Sequence, residues 1–306
     1  MTNSTKFPEI KRTEIDPKAV KKFSSEADFV GLSLELLIET GSWLCVAGNL
    51  LPAVTEAWDR DQAVVGGHVV RLYKLVSAML DQTCQRRREI SFILARLAFE
   101  CIINLRFLIK NSSEEMFRAY RAYSLKSEKK LKDLTEKRIN KRGGKTLAIE
   151  ERILNSIAKS FDASGISPDE VIPAKLKNWG GKNIYEKAEE LGLADAYVAA
   201  FGLASHSVHG NWQDLLEYQL DYDGTYFRPE FDWHQPRPQY LNVIAMHAIQ
   251  ATFDYLRWLA GGKIEELQEN LKDLYERVSA VDKLHEEFLT NSAGKDDAIQ
   301  GESKKS

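Results

Sequence analysis

The chain has 306 residues, of which 43% are hydrophobic and 28% are charged, proportions that are ordinary for a globular protein. Its 42 lysines and arginines nearly balance 45 aspartates and glutamates, for a net charge of −3. This balance excludes a protein that coats nucleic acid with its whole surface. With only 18 glycines and 8 prolines, the composition also argues against an all-β or low-complexity chain.

The N-terminus and the cysteines predict a cytoplasmic protein. No apolar core follows the first positive charges, so no secretory signal is expected. Two glutamates, an asparagine and a proline interrupt the apolar stretch 29–54, which predicts a core helix rather than a membrane span. Cys45, Cys84 and Cys101 have no paired spacing, which is typical of free thiols in a reducing compartment.

The pattern of residues predicts an all-α, multi-helix bundle. Residues 68–142 contain neither glycine nor proline, as expected where helices dominate. An Asp223-Gly224 pair between aromatic flanks predicts one short β-hairpin with a two-residue turn, followed by an aromatic loop. Predicted helices cover residues 18–28, 32–47, 51–59, 63–82, 86–110, 113–141, 146–162, 183–192, 195–218, 239–260 and 263–290.

These elements predict four regions along the chain. Residues 1–17 form a flexible N-terminal segment, and residues 18–262 form a single helical domain with a hairpin insertion near 218–231. Residues 263–290 form a long amphipathic C-terminal helix with a heptad pattern. Residues 291–306 carry almost nothing apolar, which predicts a disordered tail.

The heptad pattern of the C-terminal helix has two interpretations. One position of the heptad is occupied by Ile264, Leu271, Val278 and His285, and the other by Leu267, Leu274, Val281 and Phe288. The helix either packs along its own bundle or forms a coiled-coil homodimer in which His285 sets the register. The possible partners are therefore a second copy of the chain and an unidentified protein, and no membrane is expected.

A polar strip interrupts an otherwise apolar helix at 90–109. Arg96, Glu100 and Asn104 are spaced i, i+4 and i+8, which places them on one helix face. Charges on a buried helix need partners. The strip is either an internal ion pair that fixes helix register or the lining of a polar pocket or catalytic site.

A second set of polar residues lies in YVAAFGLASHSVHGNW, residues 197–212. Ser205 and His209 are one helical turn apart, and His206 lies between them. Few acids follow nearby, so no metal site is predicted, and no cofactor is expected. A Ser205 nucleophile with His209 as base is conceivable, but no elbow motif supports it. Since Gly210 follows, His209 is also typical of a helix C-terminus.

The segment 126–145 is basic, with nine lysines or arginines against three acids. Its candidate binding residues are Lys129, Lys130, Arg138 and Arg142. The interspersed acids favour a solvated helix face, and the alternative is a surface that contacts the phosphates of RNA. No RNA-stacking motif accompanies these charges.

The helices RLAFECIINLRFL and YVAAFGLASHSVHGNW together resemble a bacterial family of unknown function, number 5677. Its motifs are Arg-x-x-x-Glu and Tyr-Arg-x-x-Ser-x-x-x-His-Gly, and the resemblance covers roughly residues 30–260. It marks Arg96, Glu100, Ser205 and His209 as the family's polar positions. It implies an all-helical domain, no assigned activity, and a role in stress or phage defence.

A more distant likeness is to the HEPN superfamily of helical bundles, which would make the core of this bundle HEPN-like. Ribonucleases of that superfamily carry an arginine, four to six residues and then a histidine. Seven positions before His209, this chain has Gly202 instead of arginine. If Arg96 on the neighbouring helix supplies the missing cation, its side chain should lie within about 6 Å of His209.

Three functions follow from these features. The leading hypothesis is a non-enzymatic binding or regulatory module that uses the polar strip for fold specificity or for small-ligand sensing. A second is a metal-independent, HEPN-like ribonuclease or toxin that uses His209 with Arg96 and Glu100. A third is a nucleic-acid-binding scaffold that uses the basic segment 126–145.

Overall fold

The computed structural model describes residues 9–52, 55–198, 210–260 and 265–303. Eleven α-helices and one two-stranded antiparallel sheet lie wholly within these residues, which confirms the predicted all-α class. The helices are α1 (Pro17–Val20), α2 (Glu26–Gly48), α3 (Arg60–Cys84), α4 (Arg88–Lys110), α5 (Glu114–Ser124), α6 (Lys126–Lys141), α7 (Ala148–Ser164), α8 (Ile184–Glu190), α9 (Trp212–Tyr218), α10 (Pro238–Ala260) and α11 (Glu265–Ser303). A 3-10 turn spans Pro168–Glu170, and residues 194–198 are also helical.

Local capping moves several helix boundaries away from the predicted ones. The predicted pair 18–28 and 32–47 is observed as the short α1 and the longer α2, which begins at Glu26 because Ser25 and Asp28 form a capping box there. The described residues of the predicted helix 51–59 are not helical. Asp59 instead caps α3 by accepting hydrogen bonds from the backbone of Asp61 and Gln62. The predicted helix 113–141 is split at Leu125, where α5 ends and α6 begins.

Helix α4 lies at the centre of the bundle and packs against α3, α8 and α10. Phe99, Ile102, Ile103, Leu105 and Leu108 on α4 are fully buried. Burial of each such side chain contributes about 1.5–3 kcal/mol relative to exposure. Helix α2 completes the core by packing against α3, α10 and α11.

A second, smaller hydrophobic cluster lies outside this core. It consists of Leu125, Ile157, Phe161, Ile166 and Val171. The cluster holds α6 against α7, and we call residues 126–164 the basic arm. Arg60, at the first residue of α3, ties the arm to the bundle by donating from Nε to the carbonyl of Ala163 at 3.0 Å.

Helix α11 packs along its own bundle, as one of the two interpretations of the heptad required. Leu267, Leu271, Leu274, Val278 and Val281 are all buried against the chain itself. These heptad positions are therefore buried within one copy. The coiled-coil homodimer stays a prediction. Ile264 lies outside the described residues. The helix continues to Ser303, so residues 291–303 are helical where a disordered tail was predicted.

The N-terminal segment is held in place by a buried ion pair. Arg277 on α11 donates two hydrogen bonds to the carboxylate of Glu39 on α2, at 2.6 and 2.7 Å. The backbone of Thr13 completes the site, because its N–H donates to Glu39 and its carbonyl accepts from Arg277. Thr13 therefore bridges α2 and α11, while the flexible segment 1–17 stays a prediction.

The predicted hairpin is present, with a longer loop than predicted. Strands β1 (Leu220–Tyr222) and β2 (Phe227–Pro229) pair so that Tyr222 faces Phe227. Four residues connect them instead of two, and the Asp223 side chain accepts from the backbone of Thr225 and Tyr226. Gly224 has a φ of +95°, a conformation that disfavours any side chain.

Two helices, α2 and α3, are long and apolar enough to cross a membrane by length and composition. Half of the most apolar window of α2 and 39% of that of α3 is buried inside the bundle. Core helices of soluble proteins pass the same test, so this property is weak evidence for a membrane span.

Breaking the Glu39–Arg277 pair from one side should destabilise the fold strongly. We expect Arg277→Met to lower the free energy of unfolding by about 3–5 kcal/mol, because Glu39 is then left buried without its cation. Urea denaturation measures this, and Arg12→Met, which removes a half-exposed arginine, is the control.

The double variant Glu39→Leu with Arg277→Met should recover part of the loss, since both charges are gone. An Arg277→Met protein within about 1 kcal/mol of wild type, as for a surface pair, would contradict this account of the pair.

Candidate functional site

A polar cavity of about 450 Å³ lies between α3, α4 and α5. Its polar lining comes from His68 and Arg71 on α3, Glu100, Cys101 and Asn104 on α4, and Tyr120 on α5. Two residues of the predicted polar strip, Glu100 and Asn104, therefore line one cavity. The third, Arg96, lies one helical turn before Glu100 and is not part of this lining.

The side-chain oxygen of Asn104 is a hydrogen-bond acceptor without a partner. Its Oδ1 is buried and has no hydrogen-bond partner among the described residues. A buried acceptor without a partner costs about 1–3 kcal/mol. A water molecule or a ligand that donates a hydrogen bond inside the cavity would remove this cost.

His68 and Tyr120 form a fixed pair at one wall of the cavity. Nδ1 of His68 lies 2.8 Å from the carbonyl of Val64, and Nε2 lies 3.3 Å from the Tyr120 hydroxyl. Burial lowers the pKa of His68, and the positive charge of Arg71 lowers it further. The imidazole is therefore neutral at pH 7, with Nδ1–H donating to Val64 and Nε2 accepting from Tyr120.

Cys101 is the only cysteine in the described lining of the cavity. Its thiol donates to the carbonyl of His68 at 3.4 Å, and burial raises its pKa to about 12. Because the thiolate is the reactive form, Cys101 is inert near neutral pH.

Lys187 on α8 is a buried cation close to Glu100. Its Nζ lies 3.1 Å from the centre of the Trp179 ring and 5.5 Å from that of Phe107. Burial lowers its pKa to about 7, and the negative charge of Glu100 opposes this shift. Lys187 therefore exchanges its proton near neutral pH, beside a carboxylate of the cavity.

The segment that follows α8 reaches the polar strip. Burial raises the pKa of Tyr197, and the charges of Arg96 and Glu100 both act on it. Tyr197 thus lies within reach of the charges on α4. Ser205, His206 and His209 lie outside the described residues, so their approach to Arg96 stays a prediction.

The basic residues proposed to contact RNA are partly neutralised within the chain. Lys129 donates to Asp133 one turn away at 2.7 Å, and Arg142 forms an ion pair with Glu150. Lys130 and Arg138 are exposed on α6. This arrangement resembles the solvated helix face more than a continuous phosphate-binding surface.

Sequence reasoning missed His68, Arg71, Tyr120 and Lys187. The available signal for His68 and Arg71 was their spacing of i, i+3 in the apolar stretch VVGGHVVRLYK. Polar residues on a mostly buried helix need partners. Among the described residues, no three metal-ligating side chains come together.

Comparison with known proteins places the cavity within a recognised family. Residues 62–226 match the family of unknown function DUF5677. The match spans more than half of the chain, so this protein belongs to that family. It includes α4, α5, α8 and all but the first two residues of α3, and therefore every residue of the polar cavity. No curated protein and no solved structure matches the chain.

The buried lysine should make stability depend on pH. The folded-state pKa of Lys187 is about 7, against 10.5 for the unfolded chain, so the unfolded state binds more protons between these values. The free energy of unfolding should therefore rise as pH increases from about 7 to 10.

Urea denaturation across this pH range measures the effect. The Lys187→Met protein should lack this part of the rise, whereas Lys130→Met, at an exposed position on α6, should keep it. Identical pH profiles for wild type and Lys187→Met would show that Lys187 stays protonated in the folded protein.

Proposed function

We propose that this protein is a non-enzymatic binding module that holds a small polar molecule in the polar cavity. The observation that carries this proposal is the convergence of Arg71, Glu100 and Asn104 on one cavity. The cavity volume of about 450 Å³ falls in the range of about 300–1,000 Å³ usual for ligand sites.

The lining selects a ligand with two kinds of polar group. Glu100 and the unmet Oδ1 of Asn104 accept hydrogen bonds, so the ligand should carry N–H donors facing α4. Arg71 donates from α3, so the same ligand should carry a carboxylate, phosphate or carbonyl oxygen. Amino acids and nucleobases combine such groups in molecules small enough for this space.

The protonation of Cys101 and the hydrogen bonds of His68 favour binding without catalysis. The Cys101 thiol is protonated at neutral pH because its pKa is raised to about 12. Both ring nitrogens of His68 are already engaged, one by Val64 and the other by Tyr120. Neither group is free to act on a bound molecule as nucleophile or general base.

A thermal-shift screen with amino acids, nucleobases and nucleosides tests the proposal, followed by calorimetry of each compound that raises the Tm. Glu100→Gln should weaken binding of such a compound about ten- to a hundredfold, because a charged hydrogen bond is lost. Glu115→Gln, which removes an exposed carboxylate from α5, should bind like wild type.

The proposal fails if no compound of these classes binds, or if Glu100→Gln and Glu115→Gln bind one equally well. The first result would leave the cavity a solvent-filled feature of the core. The second would place the ligand elsewhere on the molecule.

A second candidate function, cleavage of RNA, is favoured by the position of Tyr197. The charges of Arg96 and Glu100 act on this residue, so the chain that leads to His209 begins beside the polar strip. A histidine there with Arg96 as the cation would form an acid–base site for phosphodiester cleavage.

Incubation of the purified protein with single-stranded RNA tests this candidate. If it cleaves RNA, His209→Ala should slow cleavage by about a hundredfold or more, the size of a general acid–base contribution. His206→Ala is the neighbouring control and should keep most of the activity. RNA that stays intact with the wild-type protein removes the candidate.

A further inference from the structure

A second depression lies beside the polar cavity along α3. It has a volume of about 440 Å³ and is lined by Gly67, Val70, Arg71, Lys74 and Leu75. Gly67 and Arg71 also line the polar cavity. The two spaces therefore adjoin at these two residues of α3.

The depression carries two neighbouring cations. Arg71 and Lys74 are exposed and are spaced i, i+3, so they are neighbours on the surface of α3. No aspartate or glutamate stands three or four residues from either of them in the sequence. Within the described part of the chain, neither cation forms an ion pair. Like charges at this spacing repel each other, and an anion between them would remove the repulsion.

The charge of Arg71 also acts on the wall of the polar cavity. Burial lowers the pKa of the His68 imidazole and raises the pKa of the Cys101 thiol and of the Tyr120 hydroxyl. The positive charge of Arg71 acts to lower the pKa in all three cases. Because these three side chains line the cavity, Arg71 can bind an anion whose other end lies inside it.

Gly67 leaves room where the two spaces meet. It lies in the interior of α3, where glycine destabilises a helix relative to alanine. A Cβ built on it would meet no atom of the described residues within 4 Å, apart from its chain neighbours and the helix backbone. Packing within the described chain therefore does not require a glycine here. Glycine suits a position where a ligand approaches the backbone closely.

We propose that the ligand of the polar cavity is a small phosphate monoester that carries N–H donors. Its N–H groups lie against Glu100 and Asn104 inside the cavity. The ligand passes over Gly67, and its phosphate lies in the depression between Arg71 and Lys74. A phosphate monoester fits two cations better than a carboxylate does, because it carries a charge of about −1.5 to −2 at neutral pH and three acceptor oxygens. This inference rests on the proposed function, since it assigns the ligand class of the same cavity.

Calorimetry with matched pairs of compounds, each with and without phosphate, tests the proposal. The pairs are adenosine and its 5′-monophosphate, cytidine and its 5′-monophosphate, glucosamine and its 6-phosphate, and serine and phosphoserine. In at least one pair, the phosphate compound should bind about tenfold or more tightly than its parent, because hydrogen bonds between charged groups are added.

Two variants of α3 locate the phosphate. Lys74→Gln should weaken binding of that phosphate compound about tenfold and so remove most of its advantage over the parent. Lys130→Gln, at an exposed position on α6, should bind like wild type.

The second variant tests the room above the helix backbone. Gly67→Ala should raise the Tm by about 2 °C, because alanine favours the helix, and should weaken binding of the phosphate compound about tenfold. Gly31→Ala on α2 is the matched control, since a Cβ there also meets nothing within 4 Å among the described residues. It should raise the Tm to a similar extent and leave binding unchanged.

The outcomes distinguish this inference from the proposed function. If parent compounds bind as tightly as their phosphates, or if Lys74→Gln binds like Lys130→Gln, only the assignment of the phosphate is overturned. If no compound of either kind binds, the proposed function fails as well. A phosphate compound that Glu100→Gln binds as well as wild type does would lie outside the cavity, which contradicts both.

Discussion

The site depends on one constraint, which is that the central helix α4 carries polar side chains into a hydrophobic bundle. Glu100 and Asn104 lie on the helix that is packed by α3, α8 and α10. A carboxylate in such a place is tolerated only when cations and hydrogen-bond donors reach it. Arg71 on α3 lines the same cavity as Glu100, and the charge of Glu100 acts on Lys187 on α8. The cavity is the space between α3, α4 and α5 that Arg71, Glu100 and Asn104 line.

The residues that match the family and the helices outside the match contribute differently to the structure. The matched residues 62–226 hold the whole cavity, yet they do not bury their own core. Helices α2, α10 and α11 lie wholly outside the match and cover the remaining apolar surface. The buried Glu39–Arg277 pair then ties α2 to α11. The matched residues therefore hold the cavity, and helices outside the match complete the core.

The fold was predictable from the sequence to the extent that it follows from local patterns. The absence of glycine and proline over 68–142 predicted helices there, and the i, i+4 spacing placed Glu100 and Asn104 on one face. Tertiary packing decided the rest. Leu125 splits a predicted helix because the second cluster buries it. Lys187 lies in YEKAEELG, which reads as a solvated helix, and it is buried only because Trp179, eight residues earlier, covers its amine.

The most direct test of the account is an experimental structure at a resolution that shows ordered solvent. The central claim is that the polar strip of α4 faces an accessible cavity rather than a sealed network of side chains. The account predicts ordered water or a bound small molecule within hydrogen-bond distance of Asn104 Oδ1 and the Glu100 carboxylate. Protein side chains that fill this space and exclude solvent from both groups would contradict it.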